Sequence, residues 1–231
     1  MKIALLGYGK MGRLIESIAL REGLDVGPKL DIDDNPGGSG ITASSMQGVD
    51  VAIDFSQPDA ALPNIEAAAR VGVNLVVGTT GWAAERSRVE RTVLEAGIGL
   101  VYAANFSVGM NLFFEIHAYA AKIVSKIPQY DPYLTEEHHR AKKDAPSGTA
   151  LTLVELMKPY YANPGVASVR AGFIPGNHVV GFDSEADTII LEHRARSRQG
   201  FAEGAILAAR WVAGKKGLYD FRDVFREILG L

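Results

Sequence analysis

The 231-residue sequence contains no cysteine. That absence excludes disulfides, thiolate nucleophiles and cysteine-ligated zinc, and it fits a reducing compartment. Long basic runs are missing too, and the formal net charge is -3, so a general nucleic-acid binder is not expected. The opening MKIALLGYGKMG has a short apolar run and no small-residue cleavage pattern, which argues against a signal peptide or a membrane span. Repeats and low-complexity segments are likewise lacking. What is present is ordinary for a globular protein: 47% of residues are hydrophobic, enough for one large domain or two small ones. The expectation is a cytoplasmic protein with neither nucleic acid nor membrane as a partner.

The first half alternates short apolar runs with helix-patterned stretches. KIALLG reads as a strand, GRLIESIALREG as a helix ending at Gly23, and DVGPKLDI as a poorer strand whose Pro28 fits only an edge or an irregularity. DVAIDFS, NLVVGTTG and GIGLVYAAN read as buried strands, separated by the helical QPDAALPNIEAAARVG and AAERSRVERTVLEAG. This alternation predicts a doubly wound, Rossmann-type parallel sheet. After Asn105 the pattern changes. A long apolar helix over 108–126 leads to YDPYLTEEHH, and a second helix starts near Ser147. SVRAGFI, HVVGFDS and DTIILEHRARS then read as strands with short turns between them, which favours an antiparallel or mixed sheet. GFAEGAILAARWVAGKKG and FRDVFREIL return to helix. The expected class is therefore α/β, a parallel-sheet domain plus a smaller α+β domain. The expected boundaries are 1–106 with 198–231 for the first and 107–197 for the second.

LLGYGKMG places Gly7, Gly9 and Gly12 in G-x-G-x-x-G spacing between a strand and a helix. Gly7 permits a tight turn, Gly9 lets a pyrophosphate approach the backbone, and Gly12 allows close helix packing. Asp31 lies 19 residues beyond Gly12, where an acid accepts from adenosine ribose hydroxyls. Dinucleotide binding is one reading and a structural glycine turn the other; the flanks and Asp31 favour the first. With no arginine after Asp31 the cofactor leans to NADH over NADPH, although Lys10, Arg13 and Lys29 are near enough in sequence to take a phosphate. Gly78, Thr79, Thr80, Ala104, Asn105 and Phe106 fall at the ends of the fourth and fifth strands, as a nicotinamide pocket or as ordinary strand-ending turns.

The stretch EEHHRAKKDAPSGTA (136–150) concentrates positive charge. Ser147 begins a helix whose first turn holds Gly148 and Thr149, so backbone N–H groups point outward as an anion cradle. His138, His139, Arg140, Lys142 and Lys143 stand just upstream, where they could neutralise a dianion, and a histidine there could deliver a proton alongside a hydride. The alternative is a solvated basic turn with one capping serine. His117 falls in the long helix and His178 and His193 in strands, so all three read as structural and no metal site is expected. Trp82 and Trp211 read as packing residues.

The chain resembles the 4-hydroxy-tetrahydrodipicolinate reductases (dihydrodipicolinate reductases). EEHHRAKKDAPSGTA is similar to that family's signature E-x-H-H-x-x-K-x-D-x-P-S-G-T-A, and GYGKMG, AIDFS, VVGTTGW, ANFSVGMN, SRQGFAEGAILAARW and GLYDFRDV follow in the family's order. The resemblance implies an NADH- or NADPH-dependent reduction of a cyclic dicarboxylate imine in diaminopimelate and lysine biosynthesis, by a homotetramer. It implies that His138 is the general acid and Lys142 an essential lysine, with His139, Gly148, Thr149 and, more weakly, Ser147 at the substrate. Gly7, Tyr8, Gly9, Lys10, Met11, Gly12, Asp31, Gly78, Thr79, Thr80, Ala104, Asn105, Phe106 and Ser107 match its cofactor positions. Two departures stand out. The family's Y-x-R-x-G-x-T-G-x-R loop is absent between Tyr161 and Val169, and the arginine after Asp31 is missing. Arg140 reads as an ion-pair partner of Glu136 or Asp144. An amino-acid dehydrogenase of aspartate-dehydrogenase type explains the glycines but not H-H-x-x-K followed by P-S-G-T, and a redox-sensing module without turnover is a third reading.

Overall fold

A computed structural model describes residues 1–231. In chain order the elements are β1 (Lys2–Leu6), α1 (Lys10–Arg21), β2 (Asp25–Leu30), β3 (Val51–Asp54), α2 (Pro58–Val71), β4 (Asn74–Val77), α3 (Arg86–Ala96) and β5 (Gly99–Tyr102). Then follow α4 (Val108–Val124), β6 (Asp131–His138), α5 (Gly148–Met157), β7 (Gly165–Arg170), β8 (Asn177–Asp183) and β9 (Thr188–Arg194). The last are α6 (Gln199–Val212), β10 (Gly217–Asp220) and α7 (Phe221–Leu229). The chain divides into two compact units, one of residues 1–107 with 199–231 and one of residues 108–198.

The first unit is built on a six-stranded sheet of order β10-β5-β4-β3-β1-β2, parallel throughout. Val51–Asp54 is buried at every position, because helices cover both faces of a doubly wound sheet and a strand there has no wet side. The order reverses at β1, which lies between β2 and β3, so a crevice opens at the carboxyl ends of these strands. β2 is the edge strand, and its register against β1 slips between Ile3 and Leu5, opposite Gly27 and Pro28. Edge and irregularity coincide at the proline, which cannot donate to the ladder. β10 was not expected from sequence. Gly217–Asp220 is four residues long and pairs in parallel with β5, too short to show a period. α6 packs against α1, β3, β4 and β5.

The second unit has a four-stranded mixed sheet of order β7-β6-β8-β9. Here YDPYLTEEHH, given no element in the sequence reading, supplies the central strand β6, and β7 pairs with β6 in parallel rather than with β8 as a hairpin. On β6 Pro132, Leu134, Glu136 and His138 are buried and alternate with partly exposed neighbours. A glutamate and a histidine thus occupy core positions, which hid the period of two. The inner side carries a core of Phe113, Phe114, Leu134, Leu153, Met157, Val180 and Phe182 from sheet, α4 and α5. Each such side chain contributes roughly 1.5–3 kcal/mol on burial.

Candidate active site

In the first unit the three motif glycines have separate steric grounds. Gly7 has φ +86°, and a Cβ there would stand 2.6 Å from the Phe55 carbonyl oxygen. A Cβ on Gly12 would stand 2.3 Å from the Gly7 carbonyl oxygen, whereas one on Gly9 would meet nothing within 4 Å. Gly9 caps α1 without a side-chain bond, and the first turn, Lys10, Met11 and Gly12, holds no acid. The helix N-terminus therefore keeps its positive end open to an anion. Beside it lies a cavity of about 340 Å³ lined by residues that include Gly7, Asp31, Asn35, Ser56, Asp59 and Asn64. Two carboxylates and no cation line it. Lys29 is paired with Glu16 at 2.9 Å, Arg13 and Lys29 lie over the Tyr8 ring, and the Tyr8 hydroxyl donates to Glu16.

Behind the crevice sits a polar network absent from the sequence reading. Asp54, fully buried at the end of β3, accepts from Ser56 N–H (2.9 Å), Ser56 Oγ (2.6 Å), Thr79 Oγ1 (2.7 Å) and Asn64 Nδ2 (2.9 Å). Asn64 in turn accepts from Asn35 Nδ2 at 2.8 Å. One carboxylate thus ties the ends of β3 and β4 to α2 and the loop after β2. The Thr79 hydroxyl is committed to it, while Thr80 is exposed. Gly78 lies against the Phe55 ring, and the Phe106 ring is buried between Phe55 and Phe221. Ala104 is exposed, and the Asn105 side chain accepts from Ser107 N–H at 2.9 Å.

In the second unit, strand register assembles a polar row. Glu136 on β6 stands opposite Ser168 on β7 and His178 on β8, and His178 stands opposite His193 on β9. Glu136 Oε1 accepts from Ser147 N–H (3.0 Å), Ser168 Oγ (2.7 Å) and Arg170 (2.7 Å). Its Oε2 lies 3.3 Å from His138 Nδ1 and 3.7 Å from His178 Nε2. Burial alone would raise the Glu136 carboxyl; the bonds from Ser147, Arg170 and Ser168 outweigh it and hold the pKa at about 2. Burial lowers His138, an effect Glu136 opposes and Lys142 and Arg170 reinforce. His178 falls to about 4 through burial and the neighbouring His138. Glu136, His138 and His178 bring three ligand-type atoms within 4.8 Å of one another, but the Arg170 guanidinium already supplies the cation, so the group is an ion-pair cluster. His178 thereby joins the site, whereas the sequence placed it outside. His117 bonds the Leu153 carbonyl oxygen at 3.0 Å.

The stretch expected to bind an anion does so within the chain. Ser147 caps α5, its hydroxyl accepting from Ala150 N–H at 3.2 Å, and is 2% exposed. Lys142 Nζ lies 2.8 Å from Asp144, whose carboxyl is held low first by the Lys142 bond and then, against partial desolvation, by the backbone N–H groups of Asp144 and Gly148. Lys142 therefore grips a carboxylate just upstream of the α5 N-terminus. Thr149 follows at the second helical position and His139 is half-buried. The partners expected for Arg140 are taken, Glu136 by Arg170 and Asp144 by Lys142, and Arg140 is exposed.

Residues 1–106 match the family model described as dihydrodipicolinate reductase, N-terminus, and residues 109–225 match dihydrodipicolinate reductase, C-terminus. A 4-hydroxy-tetrahydrodipicolinate reductase of Ralstonia pickettii is 38% identical, over 97% of this chain and 99% of its own. One from Christiangramia forsetii is 35% identical, over 99% of both. The first alignment runs over 266 positions, more than the 231 residues of this chain, so that relative carries segments this chain lacks. In fold, the chain is similar to a dipicolinate-bound dihydrodipicolinate reductase from Paenisporosarcina sp. TG-14, with a TM-score of 0.77 at 22% identity, covering 97% of this chain and 99% of that one. An amine dehydrogenase from Mycobacterium smegmatis shares the fold at a TM-score of 0.59 and 11% identity, over 96% of this chain and 95% of that one. Two family models that cover both units, and relatives matched from end to end, make this chain a member of the dihydrodipicolinate reductase family.

Proposed function

We propose that the protein reduces 4-hydroxy-tetrahydrodipicolinate to tetrahydrodipicolinate with NAD(P)H, in diaminopimelate and lysine biosynthesis. The observation that carries the reading is the Asp144 carboxylate, held by Lys142 just before the start of α5. It displays the chemistry a substrate carboxylate would meet on displacing it. Lys142, His139, Gly148 and Thr149 bind the substrate, and Ser147, whose hydroxyl caps α5, acts by holding that helix start. His138 is the general acid. Loss of the 4-hydroxyl as water leaves the conjugated ring, to which NAD(P)H, when bound, would supply the hydride. His138 then protonates the enamine, while the cationic surroundings stabilise the dicarboxylate as charge shifts through the ring.

Gly7 to Gly12 hold the pyrophosphate, and the open face of Gly9 fits a group that must touch backbone. Asp31 accepts from the adenosine ribose, and with Asp59 it makes the cavity unfavourable to a 2'-phosphate, so NADH is the preferred cofactor. Gly78, Thr79, Thr80, Ala104, Asn105, Phe106 and Ser107 shape the nicotinamide end. The first unit is the dinucleotide-binding domain, and the second binds substrate and makes the oligomer. On the sheet face away from α4 and α5, Tyr133, Ala167, Val169, Val179 and Ile190 alternate with Thr135, Glu137 and Glu192. A second copy covers this mixed face in a homotetramer. No helix is long and apolar enough to cross a membrane, and the absence of cysteine fits the cytoplasm.

An amino-acid dehydrogenase is not favoured, because it leaves the cluster around His138 and the carboxylate grip of Lys142 without a task. The test is oxidation of NADH and, separately, NADPH on adding the cyclic substrate freshly made from pyruvate and aspartate semialdehyde by its synthase. Oxidation that depends on the substrate, faster with NADH, is expected. Folded protein that binds nucleotide yet oxidises neither would overturn the proposal.

A further inference from the structure

We infer that Glu136 is the positioning residue of this reaction, one buried carboxylate that fixes the His138 ring and, through Ser147, the start of α5. Proton donor and carboxylate cradle then keep a set separation. The inference rests on His138 being the proton donor. Its two oxygens divide the work. Oε1 is saturated by Ser147 N–H, Ser168 Oγ and Arg170, so it anchors the residue before the first helical N–H of α5. Oε2 has no hydrogen-bond donor of good geometry, and His138 Nδ1 has no partner either. These two buried atoms are 3.3 Å apart, and leaving both unpaired would cost several kcal/mol. His178, the other imidazole near Oε2, is farther away at 3.7 Å and has Ser147 Oγ within 3.4 Å.

The consequence is a choice of tautomer. Nδ1–H bonded to Oε2 leaves Nε2 as the nitrogen that gains and gives the proton. Nε2 faces Gly176, where a Cβ would stand 3.0 Å away, so the missing side chain leaves that nitrogen room. Arg170, paired to Oε1, keeps Glu136 ionised, and Glu136 does not take the proton for itself. The groups facing His138 are Glu136 on its own strand, Arg170 on β7, His178 on β8, and Lys142 and Asp144 in the turn before α5. His193 on β9 adjoins His178, and His117 on α4 is tied to the Leu153 carbonyl of α5. Among these, Glu136 and Asp144 raise the imidazole and Lys142 and Arg170 lower it. Removing the Glu136 charge therefore moves proton loss to lower pH.

Two measurements test this. Glu136→Gln should lower kcat roughly 100-fold near neutral pH and shift the alkaline limb of the kcat profile down by about one pH unit. Its KM for the cyclic substrate should change less than its kcat. Glu136→Asp, which keeps the charge, should restore the position of the limb. A limb that stays put in Glu136→Gln would refute the inference. The second measurement needs no variant at position 136 and no turnover. Solid-state 15N spectra of the histidine-labelled, NADH-bound enzyme, with His138 assigned by its loss in His138→Gln, should show neutral His138 protonated on Nδ1. Protonation on Nε2 instead would overturn it. If the cyclic substrate is not reduced but the Nδ1 tautomer is found, the functional reading fails and the Glu136–His138 pairing stands.

Discussion

Single alanine substitutions in the glycine motif separate two tasks that share one loop. At Gly12 alanine is the better helix former by about 1 kcal/mol, but its Cβ would lie 2.3 Å from the Gly7 carbonyl oxygen. A backbone atom cannot swing aside, and forced overpacking costs about 1–3 kcal/mol, so the clash outweighs the propensity and Gly12→Ala should be destabilised. Gly9 differs. Its φ is -80° and a Cβ meets nothing within 4 Å, so Gly9→Ala loses only a mild cap preference, about 0.5–1 kcal/mol. A methyl in the path of the pyrophosphate should nonetheless cost about 1–3 kcal/mol of binding, a rise of roughly 5- to 150-fold in the Kd for NADH. Both tryptophans, Trp82 and Trp211, lie in the first unit, so urea unfolding followed by their emission reports the stability of that unit. Nicotinamide fluorescence reports the Kd. Gly9→Ala that binds NADH as tightly as the parent would refute the backbone-approach argument, and Gly12→Ala that unfolds at the parent midpoint would refute the packing argument.

Stability should fall in acid through two groups in turn. His178 titrates at about 4 folded against 6.5 unfolded, so its neutral burial contributes fully above pH 6.5 and about 3 kcal/mol is lost as pH falls through 4. Glu136, at about 2 against 4.5, contributes above pH 4.5 and loses a similar amount, about 3 kcal/mol, as pH falls toward 2. Urea titrations of the parent and of His178→Phe by tyrosine near-ultraviolet dichroism should show the variant with the weaker pH dependence between 6.5 and 4. Asp54→Ala leaves the Thr79 hydroxyl, the Ser56 N–H and the Asn64 amide without their acceptor. It should lower the unfolding free energy of the first unit by about 3 kcal/mol or more, and an unchanged urea midpoint would contradict that. Asp31→Arg should move the ratio of kcat/KM toward NADPH by roughly tenfold or more; an unchanged ratio would show that Asp31 does not contact the ribose.

Local chemistry was legible in the sequence where neighbours in the chain are neighbours in space. Gly7, Gly9 and Gly12 carry their geometry in their spacing, Ser147 precedes its own helix, and Pro28 announced an edge. The cluster at Glu136 was not legible. Its partners Ser168, Arg170 and His178 lie 32 to 42 residues away in sequence and meet only through the registers of β6 with β7 and β8. A shift of one residue would turn every one of these side chains to the other face. Within AIDFS nothing marks Asp54 as more than a strand-end residue, because its donors Asn64 and Thr79 come from α2 and the loop after β4. β6 itself was missed because its buried positions hold a proline, a glutamate and a histidine among them, which masks the apolar alternation by which strands are read.

The return of residues 199–231 to the first unit bears on how the chain is made. A ribosome releases β1 to β5 early, yet β10, which completes that sheet beside β5, and α6, which packs on β3 and β4, are released last. Until then β5 is a nascent edge strand with its outer hydrogen-bonding groups unpaired, a template for mispairing with other chains. The contiguous 108–198 segment emerges whole in the meantime. Biogenesis should therefore run from the middle outward, leaving the glycine-bearing sheet as the holdase-dependent stage of synthesis.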